Sequence, residues 1–173
     1  MSAPRWRPMR AADAAAVAAI YAEGIADRVA TFETQAPPAA AVAGWVEAFP
    51  VVVVEDGDGA VLGWASAPPY RPQRDAYAGV RECSVYVARA ARGGGVGRVA
   101  LTGLIETCRA AGHWKLLSRI FPENRVSLAM CRSVGFREVG TYLRHARLDG
   151  QWRDCVIVEL LIDDLPPAPM PTA

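Results

Sequence analysis

The sequence lacks paired cysteines. Its four, Cys83, Cys108, Cys131 and Cys155, are widely separated, with no Cys-x-x-Cys pair to chelate a metal. That spacing excludes a thiolate metal centre and fits a reducing cytosol, so no metal is expected. An excess of charge of one sign is also missing. Nineteen basic residues stand against eighteen acidic ones, for a formal net charge of +1, and the two signs are interspersed. Such a chain has no electrostatic footprint for nucleic acid, and a small-molecule partner is expected instead. Only Lys115 is a lysine, and no function is read from that. No stretch approaches a charge-free membrane span, and Arg5, Arg7 and Arg10 are not joined to an apolar core of signal-peptide length. A soluble cytoplasmic protein is expected. With 173 residues, 52% of them hydrophobic, the chain can bury one core. One domain over residues 1–164 is expected, with a loose proline-rich tail at 165–173.

What is present reads as alternating strands and helices. Trp6 to Met9 is a short strand, and Asp13 is placed to cap an alanine-rich helix through Ala26. Pro37-Pro38 can open a second helix carrying Val42, Trp45, Val46 and Phe49 at helical spacing, which leaves 27–35 as a loop. The β-branched run Val51 to Val54, the turn residues 55–59 and the stretch Ala60 to Ala67 form a hairpin. Prolines from Pro68 to Pro72 open a loop, and strand character returns from Val80 to Val87. An amphipathic helix follows from Val96 to Ala111, then a strand from Lys115 to Ile120 and a short helix after Asn124 that stops before Gly135. Phe136 to Leu148 and Cys155 to Ile162 are strands joined by 149–152 as a hairpin connection.

The segment Arg92-Gly93-Gly94-Gly95-Val96-Gly97 lies between a strand and a helix. Backbone N–H groups there are unobstructed by side chains and sit at the positive end of a helix dipole, which makes an anion cradle or, alternatively, only a tight connection. Gly95-Val96-Gly97-Arg98-Val99-Ala100 fits the dinucleotide pattern Gly-x-Gly-x-x-Ala, but it lies mid-chain and the next strand ends in Ser118-Arg119-Ile120, without the ribose-holding acid. A triphosphate loop needs Gly-Lys-Ser or Gly-Lys-Thr, and Gly97-Arg98-Val99 has neither the lysine nor the hydroxyl.

These residues resemble the Gln/Arg-x-x-Gly-x-Gly/Ala signature of the GNAT acetyltransferases, with Arg92, Gly95 and Gly97 at its fixed positions. Asn124 to Phe136 resembles the family's Asn-x-x-Ser helix leading to Gly-Phe, with Asn124, Ser127, Gly135 and Phe136 in place. The resemblance covers most of residues 5–162. It implies an α/β GNAT fold: a central mixed, mostly antiparallel sheet with a splayed strand pair, flanked by about four helices. It also implies acetyl-CoA as acetyl donor, its pyrophosphate on Arg92, Gly93, Gly94, Gly95, Val96, Gly97 and Arg98. The pantetheine arm is expected along the backbone of Val85, Tyr86 and Val87, with Asn124 and Ser127 beside the cofactor.

Four segments are similar more narrowly to the phosphinothricin and arsinothricin N-acetyltransferases and the related methionine sulfoximine enzymes: 30–32, 74–77, 82–87 and 149–154. An ammonium has no lone pair, so acetyl transfer needs a group to take a proton, and Glu82 matches the family's strand glutamate. Its plain alternative is a strand glutamate facing solvent or pairing with an arginine. Acceptors of that subfamily present a carboxylate and a second polar head, which suit arginine forks. The resemblance places Arg71, Arg74 and Tyr77 at that task, with Phe32 lining the pocket. At Cys131 many GNAT enzymes carry a tyrosine that protonates the departing thiolate, and the phosphinothricin enzymes a histidine. Either Cys131 or a water does so here, or Cys131 is simply a buried thiol. Other readings are acetylation of a protein N-terminus or an aminoglycoside, or a non-catalytic acyl-CoA-binding module. A homodimer is implied, with 149–154 and the first loop near the partner.

Overall fold

Residues 3–162 are described by a computed structural model. Their elements are β1 (Arg5–Pro8), α1 (Ala14–Ala26), α2 (Ala39–Ala43), α3 (Trp45–Ala48), β2 (Val51–Glu55), β3 (Val61–Ser66), β4 (Val80–Glu82), β5 (Ser84–Val87), α4 (Val96–Ala110), β6 (Lys115–Ile120), α5 (Arg125–Ser133), β7 (Arg137–Leu148) and β8 (Gln151–Leu161). The strands form two four-stranded sheets, in the orders β1-β2-β3-β5 and β4-β6-β8-β7. Pairing is antiparallel except between β4 and β6, which run parallel.

The uninterrupted valines of β2 are explained by burial on both faces. Val51 and Val53 pack with Val17 and Ile20 of α1 and with Val42, while Val52 and Val54 pack with Ala100, Leu101 and Leu104 of α4. The first sheet is thus sandwiched between α1 with its short companions on one side and α4 on the other.

Residues 80–87 run from one sheet into the other. Val80 to Glu82 pair with Lys115 to Leu117, and the Cys83 N–H donates to the Leu117 carbonyl at 2.8 Å. After that, Ser84 to Val87 pair with β3, whereas Ser118 to Ile120 pair with β8. The expected single strand is therefore two, β4 and β5, and its partner β6 diverges from it at Cys83. This is the splayed pair that the GNAT resemblance implies.

Three local readings are corrected. Asp13 does not cap α1 with its side chain: its own backbone is already helical (φ −79°, ψ −11°), continuing a 3₁₀ turn at Ala11–Asp13. Its carboxylate instead accepts from the Arg10 N–H at 2.7 Å and pairs with Arg7. The second helix is broken at Gly44 into α2 and α3. The last connection is the two-residue turn Asp149-Gly150, both at positive φ (50° and 77°), and Gln151 already pairs with Leu148. Such a turn matches the twist of the flanking strands, so β8 begins earlier than its apolar run. The proline-rich tail lies outside the described residues. Among the described residues no helix is long and apolar enough to cross a membrane.

Candidate functional site

Divergence of β5 from β6 leaves strand edges without sheet partners, and a cleft opens between the two arms. Its larger part, about 610 Å³, runs over Val85, Tyr86 and Val87 to the glycine loop and the start of α4. Its inner end, about 60 Å³, lies between Cys83 to Tyr86 on one arm and Ser118 to Ile120 on the other, closed by Met130 and Cys131 of α5. Asn124 and Ser127 border both parts.

At the outer end Gly93 and Gly95 each adopt φ 79°, a left-handed conformation that other residues enter only with strain. Gly95 is the N-cap residue of the 15-residue α4, and a Cβ built there or at Gly93 meets nothing within 4 Å. The space is open, and the first-turn N–H groups of α4 have no intrahelical acceptor, so the loop fits a pyrophosphate on steric and electrostatic grounds. Gly93, Gly95, Val96, Gly97, Arg92 and Arg98 line the cleft, and Gly94 is not in its lining. Arg92 is held from behind: its Nε donates to the Val87 carbonyl at 3.1 Å and Nη2 pairs with Asp27 at 2.8 Å. Asp27 also pairs with Arg89, and against the opposing effect of burial these two arginines keep its carboxyl below the usual range. Arg98 is exposed and has no charged partner among the described residues.

Asn124 has a structural task as well as a place in the cleft. Its Oδ1 accepts the Ser127 N–H at 3.2 Å, capping α5, and its Nδ2 donates to the Val29 carbonyl at 3.2 Å. The cap thereby ties the 27–35 loop to the cleft wall.

Beside the inner end, next to the lining residue Cys83 but not itself in the lining, Glu82 ends β4, with Oε1 receiving both Nε and Nη2 of Arg119 at 2.6 and 2.5 Å. Among the described residues Oε2 has no hydrogen-bond partner. Cys131 is buried, and burial pushes its thiol up to about 11. Cys83, fully buried nearby, is also raised by burial. Tyr86 sends its ring away from α4, stacking on Trp64 at 4.8 Å.

The structure does not bring every expected acceptor residue into this cleft. Arg71 lies over the rings of Tyr70 and Tyr77, at 5.2 and 5.3 Å, and Arg74 lies 5.7 Å from Tyr77. None of these lines the cleft; they form a cluster where Tyr70 N–H bonds the Val80 carbonyl at the start of β4. Phe32 packs edge-on against Phe121 at 4.9 Å and faces His145 at 6.4 Å. Sequence reasoning missed Arg119 and His145. Arg119 lines the inner end of the cleft, and its Nη1 is 3.5 Å from His145 Nε2. No local pattern marks either residue, since strand pairing across β6, β8 and β7 brings them together.

Comparisons with known proteins agree with this geometry. The model of the acetyltransferase (GNAT) family matches residues 17–136. The chain is 35% identical over 159 residues to a phosphinothricin N-acetyltransferase of Alcaligenes faecalis, covering 88% of this chain and 80% of that one. It is 31% identical over 163 residues to an L-methionine sulfoximine/L-methionine sulfone acetyltransferase of Pseudomonas paraeruginosa, covering 91% and 94%. Among solved structures, a phosphinothricin acetyltransferase from Sinorhizobium meliloti in complex with acetyl-CoA superimposes with a TM-score of 0.83 at 31% identity, covering 91% of this chain and 88% of that one. A splayed strand pair, a glycine-capped helix N-terminus and a family match spanning both place this chain in the GNAT acetyltransferase family.

Proposed function

We propose that the protein transfers the acetyl group of acetyl-CoA to the amino group of an amino-acid-like acceptor of the phosphinothricin, arsinothricin or methionine sulfoximine type. The observation that carries this reading is the continuous cleft from the open cradle at Gly93 and Gly95 to the pocket beside Glu82. Bound there, acetyl-CoA supplies an activated thioester that an amine can attack directly.

In this reading the N–H groups of α4's first turn and the Arg98 guanidinium hold the pyrophosphate. The unpaired edge of Val85 and Val87 aligns the pantetheine arm and polarises the thioester carbonyl. Glu82 takes the proton from the incoming ammonium through the unpartnered Oε2, directly or through one water. Phe32, packed on Phe121, meets the acceptor's aliphatic stem, and Arg71 and Arg74, clustered with Tyr77 outside the cleft lining, supply positive charge for its distal head.

Cys131 is assigned a packing role. A thiol raised to about 11 is a weaker acid than an ordinary thiol near 8.5, so handing its proton to a leaving thiolate is uphill. The same shift leaves too little thiolate near neutral pH for an acetyl-cysteine intermediate. The proton for the departing sulfur therefore comes from the attacking nitrogen as it becomes an amide, relayed by an ordered water. Replacing Cys131 with Ala is expected to keep turnover within about threefold of the parent, whereas loss of about 10²-fold or more would make the thiol the donor.

The acceptor class is tested by thiol release from acetyl-CoA with phosphinothricin, methionine sulfoximine and an N-terminal peptide. The amino acids are expected to exceed the peptide by roughly tenfold or more in kcat/KM. A preference for the peptide, or no thiol release with any of the three, overturns the reading.

A further inference from the structure

The ion pair between Glu82 and Arg119 does more than hold a base in place. Arg119 uses Nε and Nη2 on a single oxygen, Glu82 Oε1, and its side chain remains 45% exposed. A guanidinium carries five donors and accepts nothing, so it has capacity left for an anion. On its other side Nη1 approaches His145 Nε2 at 3.5 Å. Where Nη1 donates there, His145 carries its proton on Nδ1. Phe32, Phe121 and Tyr142 surround this corner, with Tyr142 at 5.1 Å from the His145 ring. The result is a charged pair flanked by an aromatic cluster, beside the inner end of the cleft.

From this arrangement we propose that Arg119, backed by His145, is the binding residue for the acceptor's α-carboxylate, and that the Glu82–Arg119 pair selects free α-amino acids. In an α-amino acid the ammonium and carboxylate are held by one carbon, a hydrogen-bond length apart. The Glu82–Arg119 pair presents the opposite signs on adjoining groups: the salt bridge closes through Oε1 at 2.5–2.6 Å and leaves Oε2 and the remaining guanidinium N–H groups for a ligand. A zwitterion laid head-to-tail on the pair puts its ammonium on Glu82 Oε2 and its carboxylate on the free donors of Arg119, with both bonds charge-assisted. A peptide N-terminus or a simple amine has the ammonium without the adjacent carboxylate and satisfies only half the site. Arg71 and Arg74, occupied with the faces of Tyr70 and Tyr77, are left for the distal head.

The proposal deepens the acetyltransferase reading and rests on it, so its test compares two acceptors that differ only at the carboxylate: an α-amino acid the enzyme acetylates and its α-carboxamide. The parent protein is expected to favour the acid by at least about tenfold in kcat/KM, because an unfilled charged donor set rejects the amide. In Arg119→Gln that ratio is expected to fall to about two or below, chiefly through the KM for the acid, with the KM for acetyl-CoA unchanged; Arg119→Lys is expected to restore part of it. A ratio that stays at its parental value in Arg119→Gln, or that collapses in Arg74→Gln instead, overturns the assignment. So does equal loss for both acceptors, which is the signature of a residue that only positions Glu82. If the parent protein releases no thiol with any amine, the underlying reading has failed, and that result is distinct from an unchanged ratio.

Discussion

Replacing Glu82 with Gln lowers turnover at saturating acceptor by about 10²–10⁴-fold while leaving acetyl-CoA affinity within about twofold. The amide is isosteric and can still accept from Arg119, so the strand edge and the open cradle at Gly95 are undisturbed. What it cannot do is take a proton from an ammonium. The loss therefore falls on kcat rather than on the KM for acetyl-CoA, and the two are separated by steady-state kinetics alongside calorimetric titration of acetyl-CoA. Turnover within about threefold of the parent would remove Glu82 from the chemistry and leave it as half of an ion pair.

Replacing Gly95 with Val produces the opposite split. The residue sits at φ 79°, where a non-glycine residue costs roughly 1–2 kcal/mol and a β-branched one more. Its Cβ would also project into the space that the pyrophosphate is proposed to fill, since no other atom lies within 4 Å. The strain is carried with and without ligand and lowers stability, whereas the side chain's intrusion on the pyrophosphate raises the KM for acetyl-CoA by about tenfold to 10²-fold (about 1.4–2.8 kcal/mol), with kcat at saturation changed far less. Calorimetry with acetyl-CoA reads this directly. A variant that folds and binds acetyl-CoA as the parent does would show that the loop is only a connection.

The parts of the site that were legible in the sequence are those written in consecutive residues. Three glycines before an amphipathic helix announce a cradle because backbone conformation and helix dipole are local properties. Asn124 and Ser127 are similarly legible, since a cap spans three residues. The splayed pair was legible only by resemblance, because nothing in Val80 to Val87 says where the strand changes partners. Misplaced features have physical causes. Asp13 was expected to cap α1, yet Arg7 lies 2.7 Å from its carboxylate once β1 is folded against it. Residues 149–152 read as the connection, but Asp149 and Gly150 suffice, so Gln151 and Trp152 belong to β8. Arg119 meets Glu82 across the β4–β6 pair, and His145, 26 positions further on, meets Arg119 only through β8 and β7, relations no local window contains. Arg71 and Arg74 carried the expected chemistry, but the rings beside them gather their guanidiniums into a separate cluster.

In the proposed reaction an amine bound beside Glu82 attacks acetyl-CoA held in the same cleft, with no acetyl group parked on the protein. Initial velocities measured over a matrix of acetyl-CoA and acceptor concentrations test it most directly. Intersecting double-reciprocal lines are predicted, because both substrates must be bound before transfer occurs. Parallel lines, the pattern of a covalent acetyl-enzyme, would contradict the account and return Cys131 to the chemistry.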